Sequence, residues 1–130
     1  MKIHHIGYLV EDMDAGIKEF EQLGYTKPQT GIQQDDDRGI LICFMHSGGV
    51  TVELITPVWE QSAVSGIYKK KGAGPYHICY LSADLSKDTQ MLINLGFMVI
   101  SPPAPASALQ NKSVVFLFNK NSGIIELLQE

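Results

Sequence analysis

The chain has 130 residues, of which 45% are hydrophobic and 18% charged, so it is long enough for one compact domain with its own core. Its formal net charge of −4 lacks the basic surplus of nucleic-acid-binding proteins, which predicts no nucleic-acid partner. No apolar run approaches the roughly 18 residues of a membrane-spanning helix, and we find no secretory signal pattern. We therefore expect a cytoplasmic protein with no membrane partner, whose two cysteines, Cys43 and Cys79, are reduced and buried.

The chain repeats itself at an offset of about 72 residues. The stretch HIGYLVEDMDAGIKEFEQLGY begins at His5 and HICYLSADLSKDTQMLINLGF begins at His77, and the two are identical at seven of 21 positions. A second pair of stretches follows, in which GGVTVELIT contains Glu53 and NSGIIELLQ contains Glu126. Two pairs that keep the same order and nearly the same spacing indicate a duplicated module.

Module one, at about 1–57, has the pattern of a strand, a helix and three further strands. Its first strand covers about 3–10 and leads to an amphipathic helix that Asp12 or Asp14 caps. The apolar stripe of this helix is Met13, Ile17 and Phe20. The helix ends at Gly24, which suits a left-handed cap. The remaining strands lie near 25–30, 39–46 and 50–56, with HSGG as the turn between the last two.

Module two, at about 74–130, repeats this order after a linker at about 58–73. The linker contains a predicted short helix near 62–70, with its three adjacent lysines facing solvent. The first strand of module two covers 75–82, and Asp84 or Ser86 caps the helix that follows. The apolar stripe of that helix is Leu85, Leu92 and Leu95, and Gly96 lies at its C-terminal end. Three strands then lie near 97–101, 113–118 and 123–128. The predicted fold class is α+β, with two tandem βαβββ modules in a single domain. Their curved, antiparallel-rich sheet has helices on the outside and surrounds an open cleft, whose polar residues predict a metal site as follows.

Two histidines and two glutamates interrupt apolar strands at equivalent places in the two modules. A carboxylate in a β-branched run is costly unless it is paired or ligated, and strand alternation turns Glu53 and Glu126 away from the helix-facing side. The duplication relates His5 to His77 and Glu53 to Glu126. Nitrogen and oxygen ligands without a thiolate suit zinc, nickel, cobalt or manganese. We therefore predict one divalent ion, held by these four side chains.

The two adjacent histidines near the start have different predicted roles. His5 corresponds to His77 in the second module, whereas His4 corresponds to Tyr76. Strand alternation also puts His4 on the side that packs under the helix. We expect His4 to be structural, or at most to contact a ligand. His46, beside the SGG turn, is expected to be exposed.

The stretches HHIGYLVEDMDAGIKEF, VELITP, GPYHICY and IIELLQ resemble the vicinal oxygen chelate superfamily over nearly the whole chain. The resemblance implies that His5, Glu53, His77 and Glu126 match the metal set of glyoxalase I. The segment between the modules is similar to that of methylmalonyl-CoA epimerases. Both activities remove a proton next to a carbonyl, with a dication stabilising the resulting oxyanion. By resemblance Glu126 is the principal base and Glu53 its counterpart. A homodimer is also implied, with each site formed within one chain or across two.

Our first expected activity is a glyoxalase I-type lyase. It would convert the hemithioacetal of methylglyoxal and glutathione, or of a similar thiol, to S-lactoylglutathione. Arg38 and Lys112 are candidates to bind glutathione by charge alone. The second expected activity is methylmalonyl-CoA epimerase, acting on an acyl-CoA thioester. Some epimerases have a glutamate base on the strand that matches RGILICFM, where this chain has Ile40, Leu41 and Ile42. A third alternative is a non-enzymatic resistance protein that binds a small molecule.

Overall fold

Strands and helices alternate in the predicted order of two βαβββ modules. The structure, a computed structural model, describes every residue from Met1 to Glu130. The elements in chain order are β1 (Lys2–Leu9), α1 (Met13–Gln22), β2 (Gln33–Asp35), β3 (Ile40–Ser47), β4 (Val50–Pro57), α2 (Ser65–Lys71), β5 (Gly74–Ser82), α3 (Leu85–Asn94), β6 (Met98–Ala106), β7 (Lys112–Asn119) and β8 (Gly123–Gln129). The α+β class is confirmed. None of the helices combines the length and apolar character that crossing a membrane requires.

The chain divides into two compact units, and the chain passes from one unit to the other within β1 and again within β5. The amino-terminal unit is Ile6–Pro75, and the carboxy-terminal unit combines Met1–His5 with Tyr76–Glu130. The strand order is β2-β3-β4-β1 in the first and β5-β8-β7-β6 in the second. The β1–β4 and β5–β8 pairs are parallel, and the hairpin pairs are antiparallel. Because of this boundary, His5 belongs to the carboxy-terminal unit. The module and linker boundaries stay predictions.

In the amino-terminal unit, α1 begins and ends at the predicted residues. The Asp12 side chain accepts a hydrogen bond from the Ala15 N–H at 2.8 Å, which makes Asp12 the N-cap. Gly24 follows the helix with φ +97°, in the left-handed region. The stripe of α1 packs against the side of β4 that carries Val52 and Leu54. Alternation along β4 then directs Glu53 to the opposite face, as predicted.

The carboxy-terminal unit is built in the same way. Asp84 caps α3 by accepting from the Lys87 N–H at 3.0 Å. The helix residues Leu85 and Leu92 pack with Leu127 of β8. Leu95, which we expected in this stripe, is 68% exposed. The helix ends at Asn94, so Leu95 already lies at the C-cap and is no longer on the buried face.

The strand predicted near 25–30 is wrong. Only Thr26 pairs there, in an isolated bridge with His46, and the short strand β2 lies further along the chain. Pro28 has no N–H for a sheet ladder, and its carbonyl accepts a hydrogen bond from the Gly31 N–H at 3.1 Å. This local turn ends the extended segment. The linker helix is present as α2, and its lysines are exposed as expected, with Lys69 paired to Glu60 at 2.8 Å.

Candidate metal centre

Three of the four predicted metal ligands meet within the carboxy-terminal unit. His5 lies on β1, His77 on β5 and Glu126 on β8, and their exposed fractions are 1%, 4% and 3%. The Nε2 atoms of the two histidines are 3.2 Å apart. Glu126 Oε2 lies 3.1 Å from Nε2 of His5 and 3.1 Å from Nε2 of His77. The three atoms form a nearly equilateral triangle.

This triangle has the dimensions of one face of a metal coordination sphere. For a metal–ligand bond of about 2.1 Å, neighbouring ligand atoms are about 3.0 Å apart in an octahedron and about 3.4 Å apart in a tetrahedron. The observed edges of 3.1 to 3.2 Å lie between these values. Glu126 Oε2 is buried and makes no hydrogen bond of good geometry, despite its two close neighbours. The donor set and its spacing therefore fit a divalent metal.

The charge state of Glu126 also fits a ligand. Burial raises the pKa of this carboxyl, but the neighbouring imidazoles of His5 and His77 outweigh burial and lower the pKa to about 2. Glu126 is therefore ionised at neutral pH, which is the form that binds metals.

Cys79 lies beside this centre, on the face of β5 that it shares with His77, as strand alternation predicts. It is in register with Glu126 across the β5–β8 pair. Burial is the main cause that raises the pKa of the Cys79 thiol, to about 12. The thiol of the metal-free chain is thus protonated at neutral pH. Both cysteines are free and buried, as predicted.

The two imidazoles have different neighbours. His5 Nδ1 lies 2.8 Å from His4 Nδ1, so His4 contacts a predicted ligand, which is the second of the two roles expected of it. The ring of His77 meets Tyr76 edge-on at 4.5 Å and Phe116 edge-on at 5.4 Å. Sequence reasoning missed Phe116. Its place opposite Glu126 follows from the β7–β8 register, which the NKNSG turn suggests but does not specify.

Glu53 lies in the amino-terminal unit, on β4. Its exposed fraction is 6%, and it is in register with Gly7 of β1 and Phe44 of β3. Gly7 follows His5 by two residues and therefore shares a face of β1 with it. The face predicted for Glu53 is confirmed, and its role as a ligand stays a prediction.

The cationic candidates for glutathione have other surroundings. Arg38 Nη1 donates to Asp35 Oδ2 at 3.0 Å, and the Arg38 backbone N–H donates to Asp35 Oδ1 at 3.0 Å. The charge of Arg38 is therefore already compensated by a buried carboxylate. Lys112 is exposed at the start of β7. His46 is exposed as expected, with its Nδ1 3.0 Å from Thr51 Oγ1.

Comparison with known proteins relates the chain to one family and to acyl-CoA epimerases. Residues 4–128 match the family described as the Glyoxalase/Bleomycin resistance protein/Dioxygenase superfamily. The ethylmalonyl-CoA/methylmalonyl-CoA epimerase of Cereibacter sphaeroides is 29% identical over an alignment of 133 positions, which covers 98% of this chain and 97% of that protein. The solved methylmalonyl-CoA epimerase of Mycobacterium tuberculosis has a TM-score of 0.82 at 23% identity, covering 98% and 86% of the two chains. A Streptomyces coelicolor methylmalonyl-CoA epimerase in complex with 2-nitronate-propionyl-CoA has a TM-score of 0.84 at 22% identity, covering 100% and 94%.

These relatives favour the second of our two expected activities. They are epimerases, so our first expectation, a glyoxalase I-type lyase, gains no support from them. The two solved structures share the fold of this chain. The superfamily resemblance is confirmed, because the family match extends over nearly the whole chain. The chain belongs to the glyoxalase/bleomycin resistance protein/dioxygenase superfamily.

Proposed function

We propose that this chain is a metal-dependent acyl-CoA epimerase. It would invert the configuration at the carbon between the thioester and the carboxylate of methylmalonyl-CoA or a similar acyl-CoA. The observation that carries the proposal is the buried triangle of His5, His77 and Glu126, whose edges fit a divalent cation. A relative matched over 97% of its length is named as an epimerase, which supports the choice of substrate.

The proposed ligand set is completed by Glu53. Its support is the internal duplication, which makes it the counterpart of Glu126, together with its burial and its register beside the strand of His5. The four buried side chains each offer one ligand atom. Two imidazoles and two carboxylates suit zinc, nickel, cobalt or manganese. When bound, such an ion supplies Lewis-acid polarisation of the thioester oxygen, which acidifies the neighbouring C–H.

The proton transfer itself is assigned to the two glutamates. Epimerisation requires that a proton leave one face of the α-carbon and that a proton return to the other face. We assign Glu126 to one face and Glu53 to the other. Glu126 is ionised at neutral pH because its pKa is lowered, so it can accept a proton, although a carboxylate of low pKa is a weak base. The reaction therefore depends on the acidified C–H as much as on the base.

The strand that carries a glutamate base in some epimerases, β3 in this chain, has no carboxylate. Ile40 and Ile42 of β3 are buried, and Leu41 between them is half-buried and packs against the core of the amino-terminal unit. The two glutamates of the ligand set are the remaining buried carboxylates at equivalent positions of the duplication. This supports assigning one of the two proton transfers to each of these glutamates. A homodimer and a cytoplasmic location stay predictions.

A pair of assays on the full chain, loaded with one defined metal, tests the proposal. One assay follows deuterium uptake at the α-carbon of methylmalonyl-CoA in D2O, and the other follows S-lactoylglutathione formed from methylglyoxal and glutathione. We expect activity in the first assay alone. Glu126→Gln should abolish this activity, whereas Glu60→Gln, at an exposed glutamate paired with Lys69, should keep it. Activity in the second assay alone would overturn the proposal in favour of the lyase, and activity in neither would favour a binding protein.

A further inference from the structure

His4, the residue next to the first predicted ligand, makes a direct contact with that ligand. His4 Nδ1 lies 2.8 Å from His5 Nδ1, and the two rings meet edge-on with centroids 5.1 Å apart and an interplanar angle of 78°. Two imidazole nitrogens at this distance share one hydrogen bond, so one of them carries the proton and the other accepts it.

The direction of this bond follows from the other nitrogen of His5. Its Nε2 faces His77 Nε2 at 3.2 Å and Glu126 Oε2 at 3.1 Å, so Nε2 is the atom aimed at the metal position. A nitrogen that binds a metal presents its lone pair and carries no proton. The proton of the neutral His5 ring is then on Nδ1, which donates to His4 Nδ1. His4 in turn carries its own proton on Nε2.

We propose that His4 is a positioning residue for the metal centre. By accepting the hydrogen bond from His5 Nδ1–H, it selects the tautomer of His5 and restricts rotation of the ring, which strengthens metal binding. This inference rests on the metal site of the proposed function and adds a residue outside the ligand set. Metal-binding histidines usually donate their second N–H to a carboxylate, a backbone carbonyl or a water molecule, and losing such a partner weakens metal binding by about 10- to 100-fold. In this chain the His4 imidazole takes that place.

The second half of the duplication orients its histidine differently. The position equivalent to His4 is Tyr76, whose ring meets His77 edge-on at 4.5 Å with an interplanar angle of 86°. Phe116 meets the same imidazole at 5.4 Å, also at 86°. Aromatic packing thus surrounds His77, whereas His5 has an imidazole acceptor. The duplication predicts the two ligands but not the groups that orient them.

The affinity of the full chain for Zn²⁺, measured by competition with a chelator, tests this role. His4→Leu replaces the hydrogen-bond acceptor with an apolar side chain of similar size. His4→Asn keeps an acceptor atom near the position of Nδ1. His46→Leu is the matched control, because it removes an exposed histidine that contacts Thr51. We expect the dissociation constant to rise by about 10- to 100-fold in His4→Leu, to recover in His4→Asn to within about fivefold of the unchanged protein, and to stay the same in His46→Leu.

A nuclear magnetic resonance measurement on the unchanged protein makes the test independent of whether the variants fold. In the ¹⁵N-labelled, Zn²⁺-loaded chain, an N–H···N hydrogen bond produces a scalar coupling between the two nitrogens. We expect coupling between His5 Nδ1 and His4 Nδ1, with the proton on His5. A proton on His4 instead, or no coupling, would overturn the proposal.

The affinity measurements separate this proposal from the proposed function. Equal Zn²⁺ affinity in the unchanged protein and in His4→Leu would overturn the positioning role and leave the metal site intact. Equal losses in His4→Leu and His4→Asn would assign His4 to packing, which also overturns it. Absence of Zn²⁺ binding by the unchanged protein would overturn both the positioning role and the metal site.

Discussion

His5 Nε2 and His77 Nε2 lie 3.2 Å apart, although 72 residues separate them in the chain. Both belong to the carboxy-terminal unit, because the first five residues of the chain join it. Glu126 Oε2 is 3.1 Å from each of the two nitrogens. Two imidazoles held this close repel each other when both are protonated, whereas a shared dication is attracted by all three groups. Each half of the duplicated chain thus supplies one imidazole to a single point.

Glu126→Gln tests the carboxylate of this triangle. The substitution keeps an oxygen in place but removes the negative charge, so we expect the Zn²⁺ affinity to fall by about 100-fold or more, beyond the roughly 10- to 100-fold cost of losing an outer contact. Deuterium exchange into methylmalonyl-CoA should be abolished. Chelator competition measures the affinity, and Glu130→Gln, an exposed glutamate four residues further along, is the control. Unchanged affinity in Glu126→Gln would contradict the assignment of this ligand.

Glu53→Gln tests whether the two glutamates transfer protons at opposite faces of the α-carbon. With saturating metal and each pure epimer in D2O, we expect the variant to exchange the α-proton of the epimer that Glu126 deprotonates. Inversion should slow by about 100-fold or more, the usual range for loss of a general acid or base. Mass spectrometry measures exchange, and a chiral assay measures inversion. Equal losses of exchange from both epimers would show that Glu53 is not a one-sided proton carrier.

Metal affinity should fall as the pH decreases from neutrality. An imidazole nitrogen binds a metal only when it is unprotonated, and free imidazoles titrate near pH ~6.5. Each proton that must leave an imidazole before the metal binds adds a loss of affinity of up to about tenfold per pH unit. Because the pKa of Glu126 is lowered to about 2, this carboxylate stays ionised throughout the range and adds nothing to the slope. Zn²⁺ competition between pH 7.5 and about 5 measures this, and a flat profile would contradict histidine ligation.

Gly39→Ala tests the packing of the loop that follows β4. Gly39 has φ +67°, and a Cβ there would lie 2.4 Å from Cε2 of Trp59. Gly48→Ala is the control, because Gly48 has φ +56° with no atom within 4 Å of an added Cβ. We expect Gly48→Ala to lower the free energy of unfolding by about 1–2 kcal/mol through backbone strain alone. Gly39→Ala should lose about 1–3 kcal/mol more, because the indole must move. Chemical denaturation measures both, and equal losses would show that Trp59 moves without cost.

Local and periodic signals were enough to predict most of the fold. Asp12 and Asp84 cap their helices as expected, because an N-cap depends on a few consecutive residues. Strand alternation placed Glu53 correctly on the face opposite Leu54. The prediction of a strand near 25–30 was wrong, because a turn at Pro28 and Gly31 competes with sheet pairing there. The prediction that Leu95 belongs to the buried stripe of α3 was wrong, because the helix ends one residue earlier.

The sequence by itself determined the candidate ligands of the centre, because the duplication relates His5 to His77 and Glu53 to Glu126. Only the tertiary structure decided that their ligand atoms form a triangle with edges of 3.1 to 3.2 Å. It alone placed Cys79 beside Glu126 and the His4 ring against His5. Strand periodicity specifies the face of a side chain but not its neighbours. Those neighbours depend on the strand register and on ring orientations set by contacts between residues far apart in the chain.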